Sequence, residues 1–206
     1  MSAKLSILII EDEKNICDFI AAALMNQDYR VFKSYSGMDG LSQITSRCPD
    51  ILLLDLGLPD MDGTDIIRKV RKWSAMPVIV ISARTLENEK VLALDLGADD
   101  YITKPFGTSE LLARIRTAVR HLTRINATNS TSHIFRANGL VIDFDRRRIT
   151  VHEQEVHLTQ VEYKIVSMLA NNSGKVITYD ALISHVWGPY ADDNNRILRV
   201  NMANIR

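Results

Sequence analysis

Two cysteines, Cys17 and Cys48, are all that 206 residues contain. They stand in no ligand spacing and no histidine cluster accompanies them, which argues against a disulfide scaffold or a cysteine metal site and reads them as reduced core thiols. Net charge is lacking as well: 25 basic residues cancel 25 acidic ones, so bulk electrostatics names no partner. Split after residue 121, the chain carries 15 basic against 17 acidic residues and then 10 against 8, a contrast too faint to propose nucleic acid. Long apolar runs are missing. Leu5 to Ile10 and Val78 to Ile81 are far too short to span a bilayer, and the first residues lack the basic segment and apolar stretch of a secretory signal. A cytoplasmic protein without membrane contact is expected. What is present, 46% hydrophobic and 24% charged residues, is the make-up of a globular chain of one or two domains.

The stretch Ile51 to Asp55 organises the first part of the chain. Four consecutive apolar residues read as a strand buried on both faces, and the run stops at a carboxylate followed by Leu56-Gly57-Leu58-Pro59-Asp60, which must leave the strand. Similar strands are expected at Leu5 to Ile10, Tyr29 to Ser34, Val78 to Ile81 and Tyr101 to Thr103. Amphipathic helices lie between them, the first with Ile16, Phe19, Ile20, Ala23 and Leu24 at helical spacing, the second capped at Ser36. Strand and helix alternating five times describes a doubly wound parallel sheet with helices on both faces.

Ligands of such sheets bind at the carboxyl ends of the strands, and there several groups converge. Glu11-Asp12-Glu13 follows the first strand, Asp55 the third, Ser82 the fourth, and Lys104-Pro105 the fifth. If the first and third strands are neighbours, Asp12 and Asp55 point into one pocket. Carboxylates that close repel unless a cation intervenes, and hard oxygen ligands with room for water suit Mg²⁺. A haloacid-dehalogenase-like phosphatase also uses an Asp nucleophile with Mg²⁺ after a parallel strand, but it needs a second Asp two residues on, where this chain has Gly57.

This pattern resembles the receiver domain of two-component response regulators over residues 3–121. The matching residues are Glu11-Asp12, Asp55, Ser82 and Lys104-Pro105, with Asp62-Gly63 in the loop after the acceptor. The resemblance implies the strand order 2-1-3-4-5 and a regulator rather than an enzyme. It implies that Asp55 takes a phosphoryl group from a sensor histidine kinase, with Mg²⁺ on Asp12, Asp55 and the backbone carbonyl of Gly57, and with Glu11 acting through bound water. It further implies that Lys104 pairs with a phosphoryl oxygen beside a cis Lys104-Pro105 bond. Ser82 and Tyr101 would form the switch, read out at the face of the fourth helix, fifth strand and fifth helix. There Lys90, Val91, Leu94, Asp99, Asp100, Glu110, Ala113, Arg114 and Arg116 match a two-fold dimer face, with Lys90 pairing Glu110 and Asp100 pairing Arg114 across a homodimer formed on phosphorylation.

Residues 122–133, rich in Asn, Ser and Thr, read as a flexible linker. Beyond them Leu140 to Phe144 and Ile149 to His152 alternate as strands around the charged turn Asp145-Arg146-Arg147-Arg148. Thr159 and Glu162 have capping-box spacing at a helix start, with Ile165, Met168 and Leu169 as its apolar face. A second helix carries Leu182, Ile183, Val186 and Trp187. A third, opening near Asn195, turns Leu198, Met202 and Ile205 inward and leaves Arg196, Arg199, Val200, Asn201, Ala203, Asn204 and Arg206 outward. Arg and Asn on one helical face suit guanine, adenine and phosphate contacts in a major groove. Residues 134–206 resemble the α+β winged-helix domain of OmpR/PhoB regulators, and HLTQVEYKIVSMLANNSGKVIT with VWGP is similar to the branch that controls potassium-transport genes. That resemblance implies promoter DNA as partner. It also implies a carboxyl-terminal wing hairpin beyond Arg206, so the expected domain is incomplete at that end. The alternative reading is a truncated regulator that accepts phosphate without binding DNA specifically.

Overall fold

The computed structural model describes residues 4–127, 134–188 and 196–205. The chain divides into two compact units, one over residues 4–119 and one from residue 120 onward.

In the first unit five strands alternate with five helices. The strands are β1 (Ser6–Ile10), β2 (Arg30–Ser34), β3 (Ile51–Leu54), β4 (Val78–Ser82) and β5 (Asp100–Thr103). The helices are α1 (Lys14–Met25), α2 (Gly37–Arg47), α3 (Gly63–Arg71), α4 (Glu87–Asp95) and α5 (Thr108–Ala127). All strand pairs are parallel, in the order β2-β1-β3-β4-β5, as the resemblance implies. Every residue of β1, β3 and β4 is buried, because helices cover both faces of a parallel sheet. The edge strands β2 and β5 are only partly so.

Register fixes which strand ends meet. Ile10 is opposite Leu54 and Ser82 opposite Thr103, so the residues that follow those positions come together at one edge. The backbone closes there through Asp55 N–H to Ile10 O at 2.9 Å and Lys104 N–H to Ser82 O at 2.9 Å. The α3 helix starts directly over this edge. Asp62 Oδ1 caps it by accepting from Thr64 N–H at 2.8 Å, and Gly63 lets it approach. A Cβ at Gly63 would stand 2.4 Å from the Asp55 carbonyl oxygen and 2.8 Å from Leu56 Cα.

Two local expectations for this unit are corrected. The buried stripe of α1 is Cys17, Ile20, Ala21 and Leu24, so Phe19 is half-exposed and meets Phe106 with ring centroids 6.5 Å apart. The stripe stays narrow because a helix packed flat on a sheet buries one face only. Further on, α5 runs to Ala127, which makes residues 122–127 helix where a tether from residue 122 was expected. A helix already nucleated extends through weak formers at little cost per residue. Residues 128–133 of that tether lie outside the described residues.

The second unit holds an antiparallel sheet of β6 (Ile134–Ala137), β7 (Leu140–Asp143), β8 (Arg148–Val151) and β9 (Gln154–Val156), paired in sequence order. Three helices follow, α6 (Gln160–Asn171), α7 (Tyr179–Trp187) and α8 (Arg196–Ile205). The outer strands β6 and β9 were not legible in the sequence, since neither contains a fully buried residue. Ile142, Phe144, Ile149, Tyr163 and Val166 form one core cluster, against which Ile205 packs. Ile165 is buried on α6 as expected, whereas Met168 and Leu169 are half-buried and Tyr163 and Val166 take the inner positions. The expected face of α7, Leu182, Ile183, Val186 and Trp187, is buried throughout.

Candidate functional site

Apolar strands end where a charge cannot be buried unpaired, and at the upper edge of the parallel sheet the charges pair with each other. Glu11 is 1% exposed and Asp55 7% exposed. Carboxylate oxygens of Glu11, Asp12 and Asp55 lie within 4.8 Å of one another. Lys104 enters from β5: its Nζ donates to Asp55 Oδ2 at 2.6 Å and to Glu11 Oε1 at 2.9 Å, and stands 3.8 Å from Glu13 Oε1. The other Asp55 oxygen, Oδ1, accepts from Gly57 N–H at 3.0 Å. The bond before Pro105 is cis.

The balance of charge explains the protonation of this cluster. Burial is the largest influence on Glu11; with the Asp55 charge adding to it and Lys104 opposing it, the carboxyl is pushed up to about 7. Burial pulls the Lys104 ammonium down, but its hydrogen bonds to Asp55 and Glu11 outweigh that and hold it above the ordinary range. Three carboxylates therefore converge near one ammonium, Glu11 and Asp55 buried and Asp12 exposed at the mouth. Such an excess of hard anionic oxygen fits a divalent cation of the Mg²⁺ type.

Ser82 is 1% exposed at the end of β4, with its Oγ accepting from Arg84 N–H at 3.3 Å. Tyr101 is half-buried on β5 and packs against the main core cluster. Its Oη donates to the Arg84 carbonyl oxygen at 2.9 Å, and Lys90 Nζ lies 6.0 Å from the ring centroid. That hydrogen bond and the core contacts hold the ring in place. Nothing in the sequence marks Arg84 as a partner of these groups, or of Asp62, whose Oδ2 its guanidinium meets at 2.7 Å.

The face of α4, β5 and α5 keeps Val91, Leu92 and Leu94 exposed, and Glu110 and Ala113 are exposed beside them. Three of the charges expected there meet groups of their own chain. Arg114 donates within its own chain to both Asp100 oxygens at 2.7 and 2.9 Å and to Glu110 at 2.9 Å, because i,i+4 neighbours on α5 and the adjoining strand are in reach. Asp99 accepts from Arg71 and from Val78 N–H, both at 2.7 Å, at the opposite, amino-terminal edge of the sheet. Arg116 acts on the Tyr29 hydroxyl, since two residues along a helix is about 200° of rotation and carries it to the far side of α5 from Arg114.

In the second unit Arg196, Arg199 and Val200 are exposed on α8. Asn201 Nδ2 donates to the Ile197 carbonyl of its own helix at 2.8 Å, and the Asn204 side chain hydrogen-bonds Glu162. Asn204 thus ties α8 to the start of α6. Arg206 lies outside the described residues. In the charged turn, Arg147 stacks 4.5 Å from the Tyr163 ring centroid, so that guanidinium serves the core margin.

Comparison with known proteins matches residues 7–116 to the response regulator receiver domain and residues 153–206 to the family described as transcriptional regulatory protein, C terminal. The KDP operon transcriptional regulatory protein KdpE of Escherichia coli K12 is 45% identical over 98% of this chain and 88% of its own length. KdpE of Mycobacterium tuberculosis is 40% identical over 97% of this chain and 88% of its own length. Among solved structures, the response regulator DrrB of Thermotoga maritima, an OmpR/PhoB homologue, superposes with a TM-score of 0.54 at 26% identity, covering 98% of this chain and 88% of that one. Among the described residues no helix is long and apolar enough to cross a membrane.

Proposed function

The chain belongs to the two-component response regulators that join a receiver domain to a DNA-binding regulatory domain, and from that premise we infer that Asp55 is the phosphoacceptor of a phosphorylation-controlled transcription regulator. The observation that carries this is Lys104 bridging Glu11 and Asp55 in a buried pocket at the carboxyl edge of the sheet. An oxygen of Asp55 attacks the phosphorus of a phosphohistidine on the kinase. The P–N bond breaks, its electron pair returns to the imidazole, which takes up a proton, and an acyl phosphate remains on Asp55.

This chain's residues prepare that step. Gly57 N–H holds Oδ1 and so fixes the carboxylate plane. Lys104, already 2.6 Å from Oδ2, pairs with a phosphoryl oxygen as charge accumulates. Asp12, Asp55 and the Gly57 carbonyl would hold Mg²⁺, with Glu11 acting through water. When bound, that ion shields the carboxylates from the incoming phosphoryl group and aligns its oxygens. Ser82 donates to the added group, and Tyr101, packed against the core beside it, carries the change to β5. The face of α4, β5 and α5 then pairs with a second copy through Val91, Leu94, Ala113 and the surrounding charges. In the second unit Arg196, Arg199, Val200 and Asn201 meet promoter DNA. The similarity to KdpE supports a promoter of potassium-transport genes.

The test is incubation with acetyl phosphate and Mg²⁺, followed by peptide mapping. Label on Asp55, lost in Asp55→Asn, is the expected outcome; label elsewhere with Asp55 bare overturns the reading.

A further inference from the structure

The loop between β3 and α3 carries both the acceptor and the backbone carbonyl assigned above to the metal, yet little packs against its metal-binding end. A Cβ added at Gly57 would find only Asp55 Oδ1 within 4 Å, at 3.9 Å, and Gly57 is exposed. Glycine also has the widest backbone freedom of any residue. Its place is therefore set by the rest of the loop. An antiparallel bridge between Gly57 and Asp62 folds residues 57–62 into a small hairpin. The base of that hairpin is tied by Gly63 N–H to the Leu56 carbonyl oxygen at 3.0 Å and by the Asp62 cap on α3.

Asp60 stands at the tip, and it is held by α2, a helix that supplies none of the pocket side chains. Asp60 Oδ1 accepts from Gly37 N–H and Oδ2 from Met38 N–H, both at 2.8 Å. One carboxylate thus spans two of the free N–H groups at the start of α2, and those bonds hold it below its ordinary range. The approach is close: a Cβ at Gly37 would stand 2.4 Å from Met61 Cγ and 3.3 Å from Asp60 Oδ1. The helix has a cap of its own in Ser36, whose Oγ accepts from Asp39 N–H at 3.4 Å. Asp60 adds to that cap a tie between two segments distant in sequence.

We propose that Asp60 is a positioning residue for the metal site: by fastening the hairpin tip to α2 it holds the Gly57 peptide where its N–H meets Asp55 Oδ1 and its carbonyl can serve a divalent cation. This rests on the reading of the Gly57 carbonyl as a metal ligand beside Asp12 and Asp55. Released from α2, the hairpin turns about the bridge at its base and Gly57 samples more orientations. Part of the free energy of binding the ion then goes to ordering the loop. The pocket carboxylates and Lys104 are untouched, so phosphoryl transfer at saturating metal proceeds as before.

Mn²⁺ is the probe, because electron paramagnetic resonance counts its unbound fraction directly and no phosphodonor is needed. In the full chain Asp60→Ala weakens Mn²⁺ binding about fivefold, less than the roughly tenfold or more lost with partners in direct contact with a metal ligand. Asp60→Asn, which keeps one accepting oxygen, falls between. Ser36→Ala lowers the urea midpoint but leaves Mn²⁺ affinity unchanged, which separates the tie from helix capping. With acetyl phosphate, Asp60→Ala raises the Mg²⁺ concentration for half-maximal labelling of Asp55 by the same factor, and the rate at saturating Mg²⁺ is unchanged. Unaltered Mn²⁺ affinity in Asp60→Ala, or equal weakening in Ser36→Ala, overturns the proposal. A starting chain that binds no Mn²⁺ removes the metal reading itself, a result seen before any variant is made.

Discussion

At the scale of single residues, the site depends on close backbone approach as much as on charge. Gly63 shows this, since any side chain there must push into the Asp55 carbonyl and Leu56 Cα, neither of which can rotate aside. Gly63→Ala is expected to cost about 1–3 kcal/mol, the usual range for overpacking, and to slow labelling of Asp55. Urea unfolding followed alongside acetyl phosphate labelling checks both, and an unchanged midpoint would show that the α3 start has slack. Cys17 illustrates the contrary case of a reactive atom with nothing to do: burial pushes its thiol up to about 11, which agrees with reading it as core. The acidic residues after β1 and β3 were legible in the chain, because a charge that ends an apolar run has few places to go. The partners of Asp99, Arg84 and Asn204 were not, because each partner comes from an element distant in sequence.

At the scale of elements, the α6 start is the best-defined local device of the second unit. Thr159 Oγ1 accepts from Glu162 N–H at 3.3 Å while Glu162 Oε2 accepts from Thr159 N–H at 2.8 Å, the capping box expected from the spacing. Burial tends to raise the Glu162 carboxyl, but bonds from Thr159 and Asn204 outweigh it and lower it below the ordinary 4.5. A carboxyl lowered on folding binds fewer protons than the unfolded chain does. Its contribution is therefore complete above the unfolded value of about 4.5 and is lost as pH falls through the folded one. Glu162→Gln, which can keep the box, is expected to flatten this acid loss, while Glu162→Ala costs about 1 kcal/mol near neutrality. In a Trp73→Phe background the remaining Trp187 reports unfolding of this unit; an unchanged acid slope in Glu162→Gln would falsify the assignment. Strands β6 and β9 escaped sequence reading for an elementary reason: the alternation that marks a strand needs a buried face, and these have only partly buried or exposed positions.

At the scale of the whole molecule, the proposed function requires that a change at Asp55 reach the face of α4, β5 and α5. That face has an apolar centre in Val91, Leu92 and Leu94, but Arg114 is already committed to Asp100 and Glu110 of its own chain. A dimer using Arg114 across its interface would have to rearrange these pairs. Ser82→Ala is expected to leave Asp55 labelling intact and to reduce phosphate-dependent dimerisation severalfold, read by sizing before and after acetyl phosphate. Dimerisation equal to that of the unaltered chain would remove Ser82 from the switch.

By itself the sequence determined the alternation of strand and helix, the parallel sheet, and the chemical character of its carboxyl edge, because those follow from short-range periodicity and from where apolar runs end in charge. Only the tertiary structure decided who meets whom. Lys104 reaches Glu11 across 93 residues and Asp55 across 49, and Arg84 reaches Asp62 across 22. Such pairings are set by strand order, register and the path of each crossover, quantities that no local pattern of side chains encodes.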